Sequence, residues 1–225
     1  MTAVDIAIVS DTTLASALVA RWCTREDHAD SGAGRGAQSS LLARAALRAL
    51  LARHTGSAAW RIVRIRLGKP FVVDQAGARG PAVSFSHTAG MVAVAMAPLG
   101  ALGVDIERHR ARDFAALAAH AFGPAEQEEV RIGGENAFYR IWTLREAVAK
   151  ATGDGLALAA NGLDLVAGVA AGSYRLTMPG NRDWHLAHVR IEPAWSLGVA
   201  HADAPEGPWA LRWCDLGEPL AVSPA

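Results

Sequence analysis

Hydrophobic positions recur along the chain with two different periods. Over residues 14–24, and again from Ser39 or Ser40 to His54, apolar residues fall three and four apart; Ala43, Leu47, Leu50 and Leu51 make one stripe. That spacing predicts two helices, the second capped at its start by a serine hydroxyl. Between them "DHADSGAGRG" (27–36) has the composition of a loop. Over 60–67 ("WRIVRIRL") the pattern changes to near alternation, as in a half-buried strand. Short apolar runs at 71–73, 83–86, 91–96 and 102–107 predict further strands, punctuated by "GKP" and "HTAG".

The second half repeats this order. Helical spacing covers 113–121, 124–131 and 135–152, and strands follow near 163–166, 174–178, 184–192, 195–201 and 209–213. The expected fold class is α+β: two similar lobes, each a helix packed on a small, mostly antiparallel sheet. The N-terminal lobe spans 1–102 and the C-terminal lobe 103–216, with 217–225 a mobile tail.

Composition narrows the function classes. The 225 residues are 51% hydrophobic, enough for a sizeable core, and 22 basic residues balance 22 acidic ones. A net charge of zero lacks the basic footprint of a nucleic-acid binder. The signs do segregate: residues 35–70 carry Arg35, Arg44, Arg48, Arg53, Arg61, Arg64, Arg66 and Lys69 without one acid. Such a run reads as a solvated face, or as a surface for an anionic ligand. Cys23 and Cys214 stand far apart, with neither metal-ligand spacing nor a disulfide framework, and read as reduced thiols of a cytoplasmic protein. No leader pattern opens the chain, and no run approaches the roughly 20 apolar residues of a membrane span.

Three stretches carry candidate chemistry. In "GVDIE" (103–107) Asp105 and Glu107 lie two apart on a predicted strand, so both side chains point to one face. Paired carboxylates repel, and a divalent cation resolves that repulsion. Mg²⁺ takes hard oxygen ligands, and Glu146 on a nearby helix could supply a third. The structural alternative is a strand end reaching water, neutralised by Arg108, His109 and Arg110. In "FYRIWTLREAVAK" (138–150) Trp142, Glu146 and Lys150 follow at helical intervals of four along one face; taken alone, Glu146 and Lys150 make an ordinary exposed ion pair. In "VSFSHTAG" (83–90) Ser86 and His87 sit where an apolar strand stops. A Ser86–His87–Asp105 hydrolase is a poor fit: adjacent strand residues point to opposite faces, and no Gly-x-Ser-x-Gly elbow is present. A Walker loop, a Rossmann glycine fingerprint and a His-Glu-x-x-His motif are also absent from the sequence.

In this order and spacing, the three stretches resemble the 4′-phosphopantetheinyl transferases, specifically the surfactin-type, pseudo-dimeric class. That family's Gly-(Val/Ile)-Asp-(Val/Ile)-Glu is here "GVDIE", and its Trp-(Ser/Thr)-x-Lys-Glu-(Ala/Ser)-x-x-Lys is "WTLREAVAK"; "GKPFV" and "FSHTAG" match upstream elements. The likeness covers about residues 41–165. It implies two related α+β lobes with coenzyme A in the cleft between them, and a monomer. It also implies transfer of 4′-phosphopantetheine from coenzyme A to a serine of an apo acyl or peptidyl carrier protein, releasing 3′,5′-ADP. The carrier could belong to a polyketide, non-ribosomal peptide or fatty-acid synthase. Carried over by residue, Asp105, Glu107 and Glu146 hold Mg²⁺, with Glu146 also the base for the carrier serine. Lys150 neutralises the leaving phosphate, and Lys69, Ser86, His87, Arg145 and Lys150 bind coenzyme A. Ala121, Phe122 and Ile132 meet the carrier. Arg145 stands where Lys is usual, and the family's N-terminal basic segment has no good match. The competing readings are a relative that binds coenzyme A or carriers without transfer, and a Mg²⁺-dependent phosphohydrolase.

Overall fold

The computed structural model describes residues 2–10, 13–34, 36–64, 69–88, 90–153, 166–167, 172–178, 182–191, 194–202, 209–216 and 222–223. In chain order the first elements are β1 (Thr2–Ser10), α1 (Thr13–Trp22), α2 (Arg25–Ser31), α3 (Ala37–Thr55), β2 (Arg61–Arg64), β3 (Pro70–Val73), β4 (Ala82–Thr88) and β5 (Met91–Ala97). Then come β6 (Ala101–Arg108), α4 (Phe114–Ala121), α5 (Pro124–Thr152), β7 (Val166–Ala167), β8 (Ser173–Met178), β9 (Arg182–Ile191), β10 (Trp195–Ala202), β11 (Trp209–Trp213) and β12 (Val222–Ser223). The chain is a mixed α+β protein. It divides into one unit within Met1–Gly100 and Ala204–Leu220, and a second within Ala101–Asp203 and Ala221–Ala225.

In the first unit a four-stranded sheet runs β11-β1-β5-β4, with a separate β2-β3 hairpin. Strand β5 ("MVAVAMA") is buried at every position, which explains its unbroken apolar run. Leu42, Ala43, Leu47, Leu50 and Leu51 of α3 share one core with Val92, Val94 and Met96 of β5 and with Ala15 and Leu18 of α1. The second unit is a six-stranded antiparallel sheet, β6-β10-β9-β8-β7, with β12 paired to β9. Helix α5 lies across it, and Leu144, Ala147, Val148 and Ala151 pack on Trp184, Leu186, Ala200 and Ala202.

Several sequence expectations change. Residues 27–36 were expected as a loop, but α2 occupies part of that stretch. Thr24 and Asp27 form a reciprocal capping box, and Asp27, only 1% exposed, is clamped by Arg44 and Arg48. Those arginines therefore belong neither to a solvated face nor to an anionic-ligand surface: they are buried at 0% and 5% exposure against an internal partner. Helix α3 starts at Gly36 with no side-chain cap, so neither Ser39 nor Ser40 plays that part. Strand β1 had no counterpart in the periodicity. Residues 209–213, assigned to the C-terminal lobe, pair in parallel with β1 in the first unit. Within the expected tail, Val222 pairs with Ile191 and Ser223 with Arg190. Residues 65–67 and 163–165 of two expected strands lie outside the described residues. The expected break near residues 132–134 is present: α5 leaves helical geometry at Gly134, where φ is 58° and ψ is −136°. Glycine suits that left-handed φ, which side-chain-bearing residues resist.

Candidate active site

Two glycines set how closely α5 approaches the sheet. A Cβ on Gly103 of β6 would lie 1.9 Å from the Ala147 carbonyl oxygen, and one on Gly198 of β10 would lie 2.3 Å from that of Thr143. Only hydrogen fits in either place, so helix backbone rests directly on strand backbone. Asp105 pairs in register with Gly198, and Glu107 with Ser196. Cross-strand partners share a face, so both carboxylates point toward the side covered by α5. Trp142, Glu146 and Lys150 lie along the α5 face that meets them.

The polar contacts there are specific. The Lys150 ammonium donates to Asp105 Oδ1 at 2.6 Å, and Asp105 is 4% exposed. The Trp142 indole N–H donates to Glu107. Burial first, then the Asp105 charge, pushes the Glu107 carboxyl up to about 7, against the opposing effect of Lys150; Glu146 adds to the rise. Glu146 is raised for the same reasons, burial and then Asp105. Three acids thus share one lysine. Fully ionised they carry two charges more than Lys150 offsets, and two of them hold protons more tightly than usual. An all-oxygen set short of positive charge fits a hard divalent cation such as Mg²⁺. The ligand atoms of these three acids do not all lie within 4.8 Å of one another. Repulsion and the Lys150–Asp105 pair account for that spacing.

Arg145 has partners within its own unit. Expected at coenzyme A, it is 3% exposed, paired with Glu126 at the start of α5 and stacked over the Phe122 ring at 5.2 Å. Its guanidinium ties the two segments of α5 together across Gly134. Arginine in place of the usual lysine therefore has a local reason: a planar fork both pairs with a carboxylate and stacks on a ring. Phe122, expected to meet a carrier, is buried at 6% within a cluster containing Phe114, Phe138, Tyr139 and Trp142, whereas Ile132 is 73% exposed and Leu117 is 41% exposed. Ala121 is half-buried beside that cluster.

Lys69, Ser86 and His87 belong to the first unit. Lys69 is half-buried just before β3; on β4, Ser86 is buried and His87 exposed. The His87 ring lies 4.0 Å from where a Cβ on Gly36 would project, so it neighbours the start of α3.

Sequence reading missed a second polar group on the sheet. His109 Nε2 and His188 Nε2 both meet Ser196 Oγ, at 2.8 and 3.0 Å, and His109 stacks on Tyr139 with centroids 4.3 Å apart. Burial holds His188 down at about 4, so it is neutral at physiological pH. Ser196 is the strand partner of Glu107, so this group braces the strand end that carries the acid. Two histidines and a serine from separate parts of the chain leave no spacing by which the sequence could announce them.

Comparison with known proteins bears on the second unit and, for one relative, on more of the chain. Residues 101–202 match the family model described as the 4′-phosphopantetheinyl transferase superfamily. "4′-phosphopantetheinyl transferase HetI" of Nostoc sp. is 35% identical over 95 residues, covering 40% of this chain and 40% of that protein. A "Putative 4′-phosphopantetheinyl transferase" of Haemophilus influenzae is 35% identical over 112 residues, covering 45% and 44%. A protein of Synechocystis sp. with the same description is 27% identical over 185 residues, covering 79% and 72%. The matched stretch thus spans less than half the length of the first two relatives. Asp105, Glu107, Glu146 and Lys150 all fall inside the residues matched by the family model. Among the described residues, no helix is long and apolar enough to cross a membrane.

Proposed function

We propose that this chain is a 4′-phosphopantetheinyl transferase of the surfactin-type, pseudo-dimeric class, acting as a cytoplasmic monomer. It moves 4′-phosphopantetheine from coenzyme A to a serine of an apo acyl or peptidyl carrier protein. The observation that carries this reading is the convergence of Asp105, Glu107, Glu146 and Lys150 on one face of β6 and α5, inside the family match.

Asp105, Glu107 and Glu146 would hold Mg²⁺, which supplies positive charge to the diphosphate of coenzyme A. The chain's own residues do the rest. The carrier serine is a weak nucleophile and needs a base. The Glu146 carboxylate takes its proton, a role suited by a proton affinity raised through burial. Serine Oγ bonds to the phosphorus bearing pantetheine, the bond from that phosphorus to the bridging oxygen breaks, and 3′,5′-ADP departs with the electron pair. Lys150 offsets the charge gathering on the departing phosphate, while Asp105 and the α5 backbone hold it in place. Lys69, Ser86 and His87 bind the nucleotide end of coenzyme A. Exposed Ile132 and Leu117 offer apolar contact to a carrier from a polyketide, non-ribosomal peptide or fatty-acid synthase.

The test is the intact mass of an apo carrier protein after incubation with this protein, coenzyme A and Mg²⁺. A gain of one phosphopantetheine, lost with a chelator or in Glu146→Gln, is expected. Full transfer by purified Glu146→Gln would remove the assigned base. Release of 3′,5′-ADP without any carrier would favour a hydrolase.

A further inference from the structure

Another cluster of metal-ligating side chains lies in the first unit, built from three elements far apart in sequence. Asp5 is buried in β1, His54 lies in the last turn of α3, and Cys214 follows β11 directly. Cys214 Sγ is 3.5 Å from His54 Nε2 and 3.9 Å from Asp5 Oδ1. Asp5 Oδ2 is 3.4 Å from His54 Nδ1. One ligand atom from each residue can be chosen so that all lie within 4.8 Å of one another. We propose that Asp5, His54 and Cys214 form a site for a thiophilic divalent cation of the zinc class, distinct from the carboxylate site of the second unit and independent of the transferase reading.

The donor set selects the metal. One sulfur, one imidazole nitrogen and one carboxylate oxygen suit zinc, whereas Mg²⁺ prefers oxygen alone. Zinc bonds of about 2.0–2.3 Å at tetrahedral angles put neighbouring ligand atoms about 3.5 Å apart. The sulfur stands at about that distance from His54 Nε2 and slightly farther from Asp5 Oδ1; with one ligand atom from each residue the set spans no more than 4.8 Å, so side-chain rotation is needed to draw it in around an ion. Three protein ligands leave a fourth position for water. The backbone is fixed before any ion arrives, since the Cys214 amide donates to the Ile6 carbonyl at 2.7 Å. Arg212 grips both Asp5 oxygens and comes within 3.3 Å of His54 Nδ1, as an outer-shell partner that orients the ligands. Its side chain is 57% exposed, so water solvates its charge beside the cation. The His54 side chain is 19% exposed and gives an ion its approach. The cluster also resembles a Cys-His-Asp nucleophile, but burial and Asp5 push the Cys214 thiol up, the reverse of what a reactive thiolate needs.

The experiment uses the full, reduced, metal-stripped chain, titrated with Co²⁺ in excess Mg²⁺ so that hard-oxygen sites are filled. A thiolate-to-cobalt charge-transfer band saturating at about one equivalent is expected, and Zn²⁺ should displace it. Cys23→Ser should keep the band, Cys214→Ser should lose it, and His54→Ala should weaken binding by about tenfold or more. In the unmodified chain Zn²⁺ should also slow alkylation of Cys214 but not of Cys23, which decides the matter if Cys214→Ser does not fold. Absence of the band, an undiminished band in folded Cys214→Ser, or equal alkylation of Cys214 with and without Zn²⁺ overturns the proposal.

Discussion

Replacing Glu107 by glutamine should stabilise the metal-free protein. The side chain keeps its shape and an acceptor for the Trp142 indole, but loses a charge that sits beside Asp105 and Glu146. In the fold the Glu107 carboxyl titrates at about 7 instead of 4.5. Between those values the folded chain binds the proton that the unfolded chain has released, so stability falls as pH rises through that window. The full displacement corresponds to at most about 3.4 kcal/mol. Solvent screening at a half-buried carboxylate reduces this to about 1–2 kcal/mol. Urea denaturation in the presence of a chelator measures it. Glu107→Gln should match the parent near about pH 4 and exceed it by about 1–2 kcal/mol near about pH 8. On the Mg²⁺ site proposed above, added Mg²⁺ should stabilise the parent more than Glu107→Gln, which lacks one of the three proposed ligands. A variant no more stable than the parent at the higher pH would refute the account of a site held under charge repulsion.

Gly103→Ala should cost about 1–3 kcal/mol or more in the same denaturation assay, since its Cβ meets the Ala147 carbonyl, and transfer should fall because α5 must lift. Asp27→Asn should cost about 3–5 kcal/mol, because buried Arg48 loses its carboxylate and buried Arg44 keeps only Asp30. Burial works to raise the Asp27 carboxyl, but hydrogen bonds from Arg48 and the Thr24 amide hold it below 3.8. Its stabilisation is thus present above about 3.8 and lost as pH falls further, so acid unfolding of Asp27→Asn should be shallower than that of the parent. The Cys23 thiol is raised to about 11, chiefly by burial and then by Asp27, and mass spectrometry should find it alkylated slowly at neutral pH, with Asp27→Asn speeding the reaction.

The parts of the site visible in sequence are those encoded by local period. Asp105 and Glu107 are two apart on a strand, and Trp142, Glu146 and Lys150 are four apart on a helix, so backbone geometry alone places each group on one face. What stayed hidden depends on tertiary partners. Helix α2 ("REDHADS") has no apolar stripe; a capping box and two arginines from α3 hold it, and periodicity registers neither. Arg145 sits within the family-like motif, yet its partner Glu126 lies across a helix break. Cys214 looked like an inert thiol because the groups beside it, Asp5 and His54, are distant in the chain. Strand β11 was correctly read as a strand but assigned to the wrong lobe, because its partner is β1.

That last pairing bears on the order in which the protein can be completed during synthesis. The second unit is an insertion within the first: the chain leaves one fold at Gly100, builds nearly all of another, and comes back from Ala204. Until β11 emerges from the ribosome, one edge of β1 has open hydrogen-bonding groups along a strand whose Val4, Ile6, Ile8 and Val9 are destined for burial. Such an edge invites pairing with another nascent chain. A chain stopped after Ala202 would retain β6, α5 and their four polar site residues but leave β1 uncovered, so its aggregation would originate in the unit that does not hold those residues.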